Sequence, residues 1–320
     1  MFENIVLSSI KQKTAGDNTT DGELLLSKAD ETIKQNVKTL RADLVRKIPG
    51  KAHIGCVCMV KNEGEFIYNT LSSCIGTVDS FYIFDTGSTD STIEILNKFA
   101  DEYKIPMNII QGEFVDFGTS RNVLLKFAYS FPVVDYLLLV DSNDILKNGY
   151  ILRTVAEDAL NKKDQEVWLV RQEWWSGKSN TYYNIRFIRN NTGWHFRDPI
   201  HEYITKTNTQ ADTPIKIDQK LNLFQDRTID DDKSLNRFSR DIEIFKKLVI
   251  GVKSPDPRHV YYFAQTYACL GEMQNARRWY RVRAEMDGFY EEKYQAYLHD
   301  ARISFDTVSY THLRAHETDS

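Results

Sequence analysis

The chain has 320 residues, 42% hydrophobic and 12% aromatic, enough for one main domain with an ordinary core and an appendage. Its net charge of −4 gives no basic field, which excludes nucleic acid as the principal partner, while small anions need only local positive groups. Cys56, Cys58, Cys74 and Cys269 lack the paired CxxC spacing of a zinc site and do not form a disulfide framework, so a reducing compartment fits.

The N-terminus lacks the basic start and apolar run of a signal peptide, and no apolar run reaches the roughly 18 residues of a membrane span. The expectation is a cytoplasmic protein with no transmembrane segment, open to peripheral membrane contact. Residues 1–52 read as a polar leader and a helix, with Leu24, Leu25, Ile33, Val37, Leu40 and Leu44 forming one stripe between about Glu23 and Lys47.

From His53 to about Asp230, apolar runs at Ile54–Val60, Phe81–Phe84, Met107–Ile110, Tyr136–Val140 and Val167–Val170 alternate with helical patterns. This predicts an α/β domain over 53–230 with a Rossmann-like, mostly parallel sheet and helices on both faces. Ser91-Thr92-Ile93-Glu94 has the spacing of a capping box, so the Asp85-Thr86-Gly87-Ser88-Thr89-Asp90 turn joins a strand to a helix. A second turn, Asp141-Ser142-Asn143-Asp144, follows the apolar strand Tyr136–Val140. Parallel strands present their carboxyl ends to ligand, so both turns are expected at one crevice, where a nucleotide and its metal would sit.

Residues 231–307 read as helical. Ala264, Tyr267, Ala276 and Tyr280 stand at the consensus positions of one tetratricopeptide unit, with Gly271 at its turn and degenerate neighbours at Leu235–Ile250 and Glu291–Phe305. Beyond them, Val308–Thr318 resembles translated sequencing-adapter sequence and does not continue the helical pattern. Residues 308–320 are therefore read as a non-native tail, the natural chain being cut near Thr307, and the His312/His316 pair is set aside.

Met59-Val60-Lys61-Asn62-Glu63, the turn from Asp85 to Thr92, Ser120-Arg121-Asn122, the turn from Asp141 to Asp144 and Ile200-His201-Glu202 occur in an order that resembles family-two glycosyltransferases with a tetratricopeptide-like tail. The resemblance implies a glycosyltransferase A fold and metal-assisted, inverting transfer from a nucleotide-sugar, a UDP-sugar being favoured, to a glycan, protein or peptide acceptor. It places Val60, Asn62, Glu63, Asp85, Gly87, Arg121, Asp141 and Ser142 around the donor. Asp85 would hold the uracil or ribose, and Arg121 would face the base or phosphates.

Within this resemblance Asp141, Asn143, Asp144 and His201 would hold Mn²⁺ or Mg²⁺, hard ions that prefer oxygen ligands. Asn143 departs from the family pattern, standing where a second aspartate is usual; Asp144 would restore the lost charge. Glu202 is assigned as the base that takes the acceptor's proton, with Asp198 in reserve.

Capping of the following helix falls to Asp90 or Ser91, which leaves Asp85 free for ligand. Trp174, Trp175 and Trp194 are secondary candidates for stacking on a sugar. Ser176-Gly177-Lys178-Ser179 is not a P-loop, because Gln172 stands where its first glycine is required. Two other readings compete with glycosyl transfer: a non-catalytic scaffold, kept open by Asn143, and nucleotidyl transfer. The helical region is expected to bind a protein partner or mediate self-association.

Overall fold

The computed structural model describes residues 37–162, 164–206, 213–228 and 233–318. The chain divides into two compact units, Met1–Thr228 and Ile229–Ser320.

In the first unit the strands and helices follow in chain order: β1 (Val37–Leu40), β2 (Ile54–Val60), α1 (Ile67–Cys74), β3 (Ser80–Asp85), α2 (Thr92–Tyr103), β4 (Met107–Gln111), α3 (Phe117–Tyr129), β5 (Tyr136–Val140), β6 (Ile145–Lys147), α4 (Tyr150–Ala159), β7 (Val167–Trp175), β8 (Ser179–Arg189), β9 (Trp194–Arg197), β10 (Tyr203–Lys206), β11 (Ile215–Lys216) and β12 (Asn222–Asp226). The main sheet has the order β1-β4-β3-β2-β5-β8-β7-β12-β6, with β11 beside β7, and β9 and β10 form a separate ribbon. The sheet is mixed. Its centre, β4-β3-β2-β5, is parallel, whereas β1, β6 and the β7-β8 hairpin bring in antiparallel pairs.

Strand side chains alternate between faces. Cys56, Cys58, Phe81, Ile83, Leu138 and Val140 join one core with residues of α1, α2 and α4. Val57, Tyr82, Phe84, Leu137 and Leu139 join the other with α3. Both faces of the central strands are thus covered, which is why these strands read as continuous apolar runs rather than alternating ones.

Three local expectations are corrected. Val37 to Leu40, placed by the sequence in a helix, form the edge strand β1 antiparallel to β4. Unpaired strand groups on β4 and the β-branched Val37 and Thr39 favour this pairing over a helix. Of the rest of that helix, the part up to residue 36 lies outside the described residues, and after β1 only Ala42–Leu44 form a 3-10 turn. At α2, neither Ser91 nor Glu94 builds the capping box; Asp90 Oδ1 instead accepts from the Thr92 amide at 3.0 Å and from Thr92 Oγ1. The strand begun at Val167 runs on to Trp175, and Ser176-Gly177-Lys178 turns it back into β8, Gly177 at φ +84°.

The second unit consists, among the described residues, of α5 (Lys233–Val249), α6 (Pro257–Cys269), α7 (Met273–Glu285) and α8 (Tyr290–Thr318), each packed on the next. Asp256 caps α6 through the Arg258 amide, and Pro257 occupies the first turn, where its missing N–H costs nothing. Ala264, Ala276 and Tyr280 are buried, Phe263 packs on Phe245, Tyr267 and Trp279, and Gly271 makes the turn at φ +77°. Contrary to the sequence expectation, α8 continues through Val308–Thr318, a stretch with no glycine or proline to stop it.

Candidate active site

The carboxyl ends of β2 and β3 are locked to each other. Val60 pairs with Asp85, and the Val60 carbonyl accepts from the Thr86 amide at 3.0 Å. Asn62, in the left-handed region at φ +56°, donates its amide to Ser88 Oγ at 2.9 Å, and its Oδ1 accepts from the Thr89 amide at 2.7 Å. The Glu63 amide donates to Thr92 Oγ1, and Gly87 turns at φ +99°, where a side chain would be strained. Val60, Asn62, Glu63, Asp85 and Gly87 thus form one rigid pair of loops. Asp85 is not free, however: it is fully buried, with Oδ1 accepting from the Ser88 amide and Oδ2 from Gln111 Nε2.

On the other side of β2, β5 ends at Val140 and the second turn begins. Asp144 folds this turn on itself, its Oδ2 accepting from the Asp141 amide at 2.8 Å and its Oδ1 from Gln225 Nε2 at 2.8 Å. The Ser142 carbonyl accepts from Thr70 Oγ1, and Asn143 Oδ1 accepts from the same Gln225 amide group at 3.0 Å. Burial, and then the charge of Asp141, push the Asp144 carboxyl up to about 6. In this structure Asp144 is a turn-builder, its two oxygens engaged by the Asp141 amide and by Gln225 of β12.

Asp141 has two cationic partners. Arg121 Nη2 reaches Oδ1 at 2.7 Å, and Arg186 Nη2 reaches Oδ2 at 2.8 Å. Burial alone would raise its pKa, but the charges of Arg186 and Arg121 outweigh that and hold the carboxyl well below the usual range. For each arginine burial lowers the pKa, but Asp141, seconded by Glu202 at Arg121 and by Asp144 at Arg186, reverses the effect and keeps the guanidinium charged. Arg121 also donates through Nε to Glu202 Oε1 at 2.8 Å, and its guanidinium lies 5.5 Å from the Phe196 ring centre.

Glu202 reaches this cluster because α3 is clamped to the segment preceding it. Asn122 exchanges two hydrogen bonds with the Phe196 backbone, and the Phe117 amide donates to the Pro199 carbonyl at 3.0 Å. Gly118 lies against the Asp198 carbonyl, where a Cβ would collide. Asp198 and His201 take the left-handed backbone at φ +71° and +51°, and between them these bends return the chain toward Arg121.

The structure therefore brings together Arg121, Asp141 and Glu202, predicted from positions far apart in the chain. Arg186 joins them without having been singled out in the sequence. Trp168 pairs with Phe187 and Leu169 with Ile185, so Arg186 is the extra residue of a β-bulge, a device that re-aims a side chain. Its signal in the sequence was faint: one charge inside the run Ile185-Arg186-Phe187-Ile188. Gln225 is a second unforeseen member. Of the tryptophans proposed for stacking, Trp194 is 3% exposed and belongs to the core, whereas Trp174 is covered by Arg227, with 3.8 Å between guanidinium and ring.

Among the described residues no three His, Cys, Asp or Glu side chains are grouped as a metal ion requires. The chemistry of Asp141 and Asn143, a carboxylate and an amide oxygen on one turn, suits an oxygen-preferring divalent ion. Both Asp141 oxygens are taken by guanidinium groups, so an ion would have to displace one of them.

A mixed sheet covered by helices, with a charged cluster at the carboxyl end of its parallel strands, defines an α/β domain of the ligand-binding kind. Residues 56–214 match the model of the family described as Glycosyl transferase family 2, and the chain therefore carries a glycosyltransferase domain of that family. Comparison with curated proteins finds no match.

Among solved structures, residues 1–349 of TarS from S. aureus, in complex with UDP, are 15% identical with a TM-score of 0.44, covering 71% of this chain and 78% of that one. The mannosyltransferase PcManGT from Pyrobaculum calidifontis, in complex with GDP-Man and Mn²⁺, is 11% identical with a TM-score of 0.43, covering 96% and 92%. Glucosyl-3-phosphoglycerate synthase from Mycobacterium tuberculosis, with Mg²⁺ and UDP, is 15% identical with a TM-score of 0.28, covering 48% and 49%. Among the described residues no helix is long and apolar enough to cross a membrane.

Proposed function

We propose that the protein transfers a sugar from a nucleotide-sugar, a UDP-sugar being the favoured donor, to a hydroxyl or other nucleophile of a glycan, protein or peptide acceptor, with inversion at the anomeric carbon. The observation that carries this reading is the convergence of Asp141, Arg121 and Glu202 at the carboxyl end of the parallel strands, within a family-two domain.

Transfer breaks the bond between the anomeric carbon and the diphosphate oxygen, and the electron pair leaves with the nucleoside diphosphate. The acceptor oxygen forms the new bond as its proton passes to a base. Glu202 is the proposed base, with Asp198 in reserve. The ion pair with Arg121 holds the Glu202 carboxylate beside Asp141 and Arg121. Arg121 would contribute positive charge beside the leaving diphosphate.

A bound Mg²⁺ or Mn²⁺, held by Asp141 with Asn143, Asp144 and His201 as further candidates, would add charge neutralisation of the leaving group. The loops of Val60, Asn62, Glu63 and Gly87 offer backbone groups to the base and ribose, and Ser142 to the donor. With its carboxylate engaged by Ser88 and Gln111, Asp85 would act on the nucleoside chiefly by holding this loop.

For the helical unit, the buried Ala264, Ala276 and Tyr280 and the turn at Gly271 support a tetratricopeptide-like reading, with acceptor binding or self-association as its task. The proposed domain limits are 53–230 for transfer and 231–307 for the repeats.

A thermal-shift panel of uridine and guanosine diphosphate sugars, with and without Mn²⁺, tests the reading. Stabilisation by one donor nucleotide, followed by its turnover with an acceptor, is the expected result. A flat panel together with an absence of donor hydrolysis would leave a non-catalytic scaffold as the better account.

A further inference from the structure

Arg186 is not among the residues that the family resemblance points to, yet it is built into the cluster by a device of its own. The bulge between Trp168 and Leu169 leaves it without a cross-strand partner on β7, and the pairing of β8 with β5 ends at Phe187, so the side chain is directed to the end of β5. There its Nη2 binds Asp141, while its Nε is buried with no hydrogen-bond partner among the described residues. Its side chain is 12% exposed, against 25% for Asp141. A nearly buried guanidinium that spends one nitrogen on a carboxylate shared with a second arginine has donors in reserve, and a buried donor without a partner is rare in folded proteins.

We propose that Arg186 is a diphosphate-binding residue, paired with Arg121 across Asp141, and that Asp141 holds the two guanidinium groups in place until a diphosphate takes their unused donors. The proposal rests on the nucleotide-sugar reading for the identity of the ligand, but its chemistry is that of any pyrophosphate group. Two planar forks converging on one carboxylate bring together donors of the kind that suits an anion with several oxygens.

Calorimetric titration of the full chain with uridine, UDP and inorganic pyrophosphate, in chelator and then in Mn²⁺, tests this with Arg186→Met. Asp141 keeps Arg121 in that variant, so no buried carboxylate is orphaned. The expected result is a loss of about tenfold or more in affinity for UDP and pyrophosphate, with uridine affinity unchanged, because only the charge-assisted bonds are removed.

Affinity for UDP within about twofold of wild type, or an equal loss for uridine and UDP, would overturn the proposal. Pyrophosphate binding that depends on Arg186 in a protein showing no preference for UDP would keep the proposal and sink the nucleotide reading. If the methionine variant does not fold, Arg186→Lys, which retains the charge but not the fork, serves instead. A lysine variant that binds UDP and pyrophosphate as wild type does would also count against the proposal.

Discussion

Arg121 Nε donates to Glu202 Oε1 at 2.8 Å, across 81 residues of chain. The bond ties the helix that follows β4 to the segment between β9 and β10, and the same guanidinium continues through Nη2 to Asp141. A single arginine thus couples the proposed base to the aspartate at the end of β5, and the principal predictions concern this chain of charges.

Replacing Glu202 with Gln leaves Arg121 an acceptor oxygen but removes the base. Turnover is expected to fall by about 10² to 10⁴, with the donor KM little changed. Steady-state kinetics and donor-binding calorimetry check this, and undiminished transfer by the variant would move the base elsewhere, Asp198 being next to test.

Asp141→Ala removes the acceptor of Arg186 and half the anionic partnership of Arg121, both well shielded from solvent. The expected cost is about 3 kcal/mol of stability, from guanidinium groups left buried and underpaired, together with loss of metal-dependent turnover. Denaturant unfolding measures the first and an Mn²⁺ titration of activity the second.

Gly118→Ala would drive a methyl group into the Asp198 carbonyl. The segment from Asp198 to Glu202 must then move off α3, at about 1–3 kcal/mol, the usual range for overpacking. Activity should fall more than in a variant of an exposed α3 residue, since Glu202 is carried on the displaced segment. Paired melting curves and kinetics would show whether the two losses coincide.

His53 offers a pH test outside the site. Burial lowers its pKa below 6.5, against the opposing charges of Asp79 and Asp135, and its Nε2 lies 2.9 Å from Ser80 Oγ. The unfolded chain therefore takes up a proton more readily than the folded one. Its contribution to stability is present above pH 6.5 and is lost as pH falls through 6.5 toward the lower folded value. Denaturation of wild type and His53→Gln across this window should show a flatter profile in the variant.

By itself, the sequence determined the central strands β2 and β5 with their ends, but not the edge strand β1 nor the extension of β7 to Trp175. The runs at Ile54–Val60 and Tyr136–Val140 are apolar at successive positions because both faces of the sheet are covered, and that pattern is local and strong. The acidic turns follow directly from these strand ends. Only the tertiary structure decided how those groups are spent: Asp85 on Ser88 and Gln111, Asp144 on its own turn and Gln225, and Asp141 on two arginines. Val37–Leu40 likewise took its form from the open edge of β4. Arg186 was hidden because a bulge is a mismatch between two strands and has no periodicity in either one. A carboxylate's residue type can be read in one dimension; its charge partner, and hence its chemistry, depends on which distant segments the fold packs beside it.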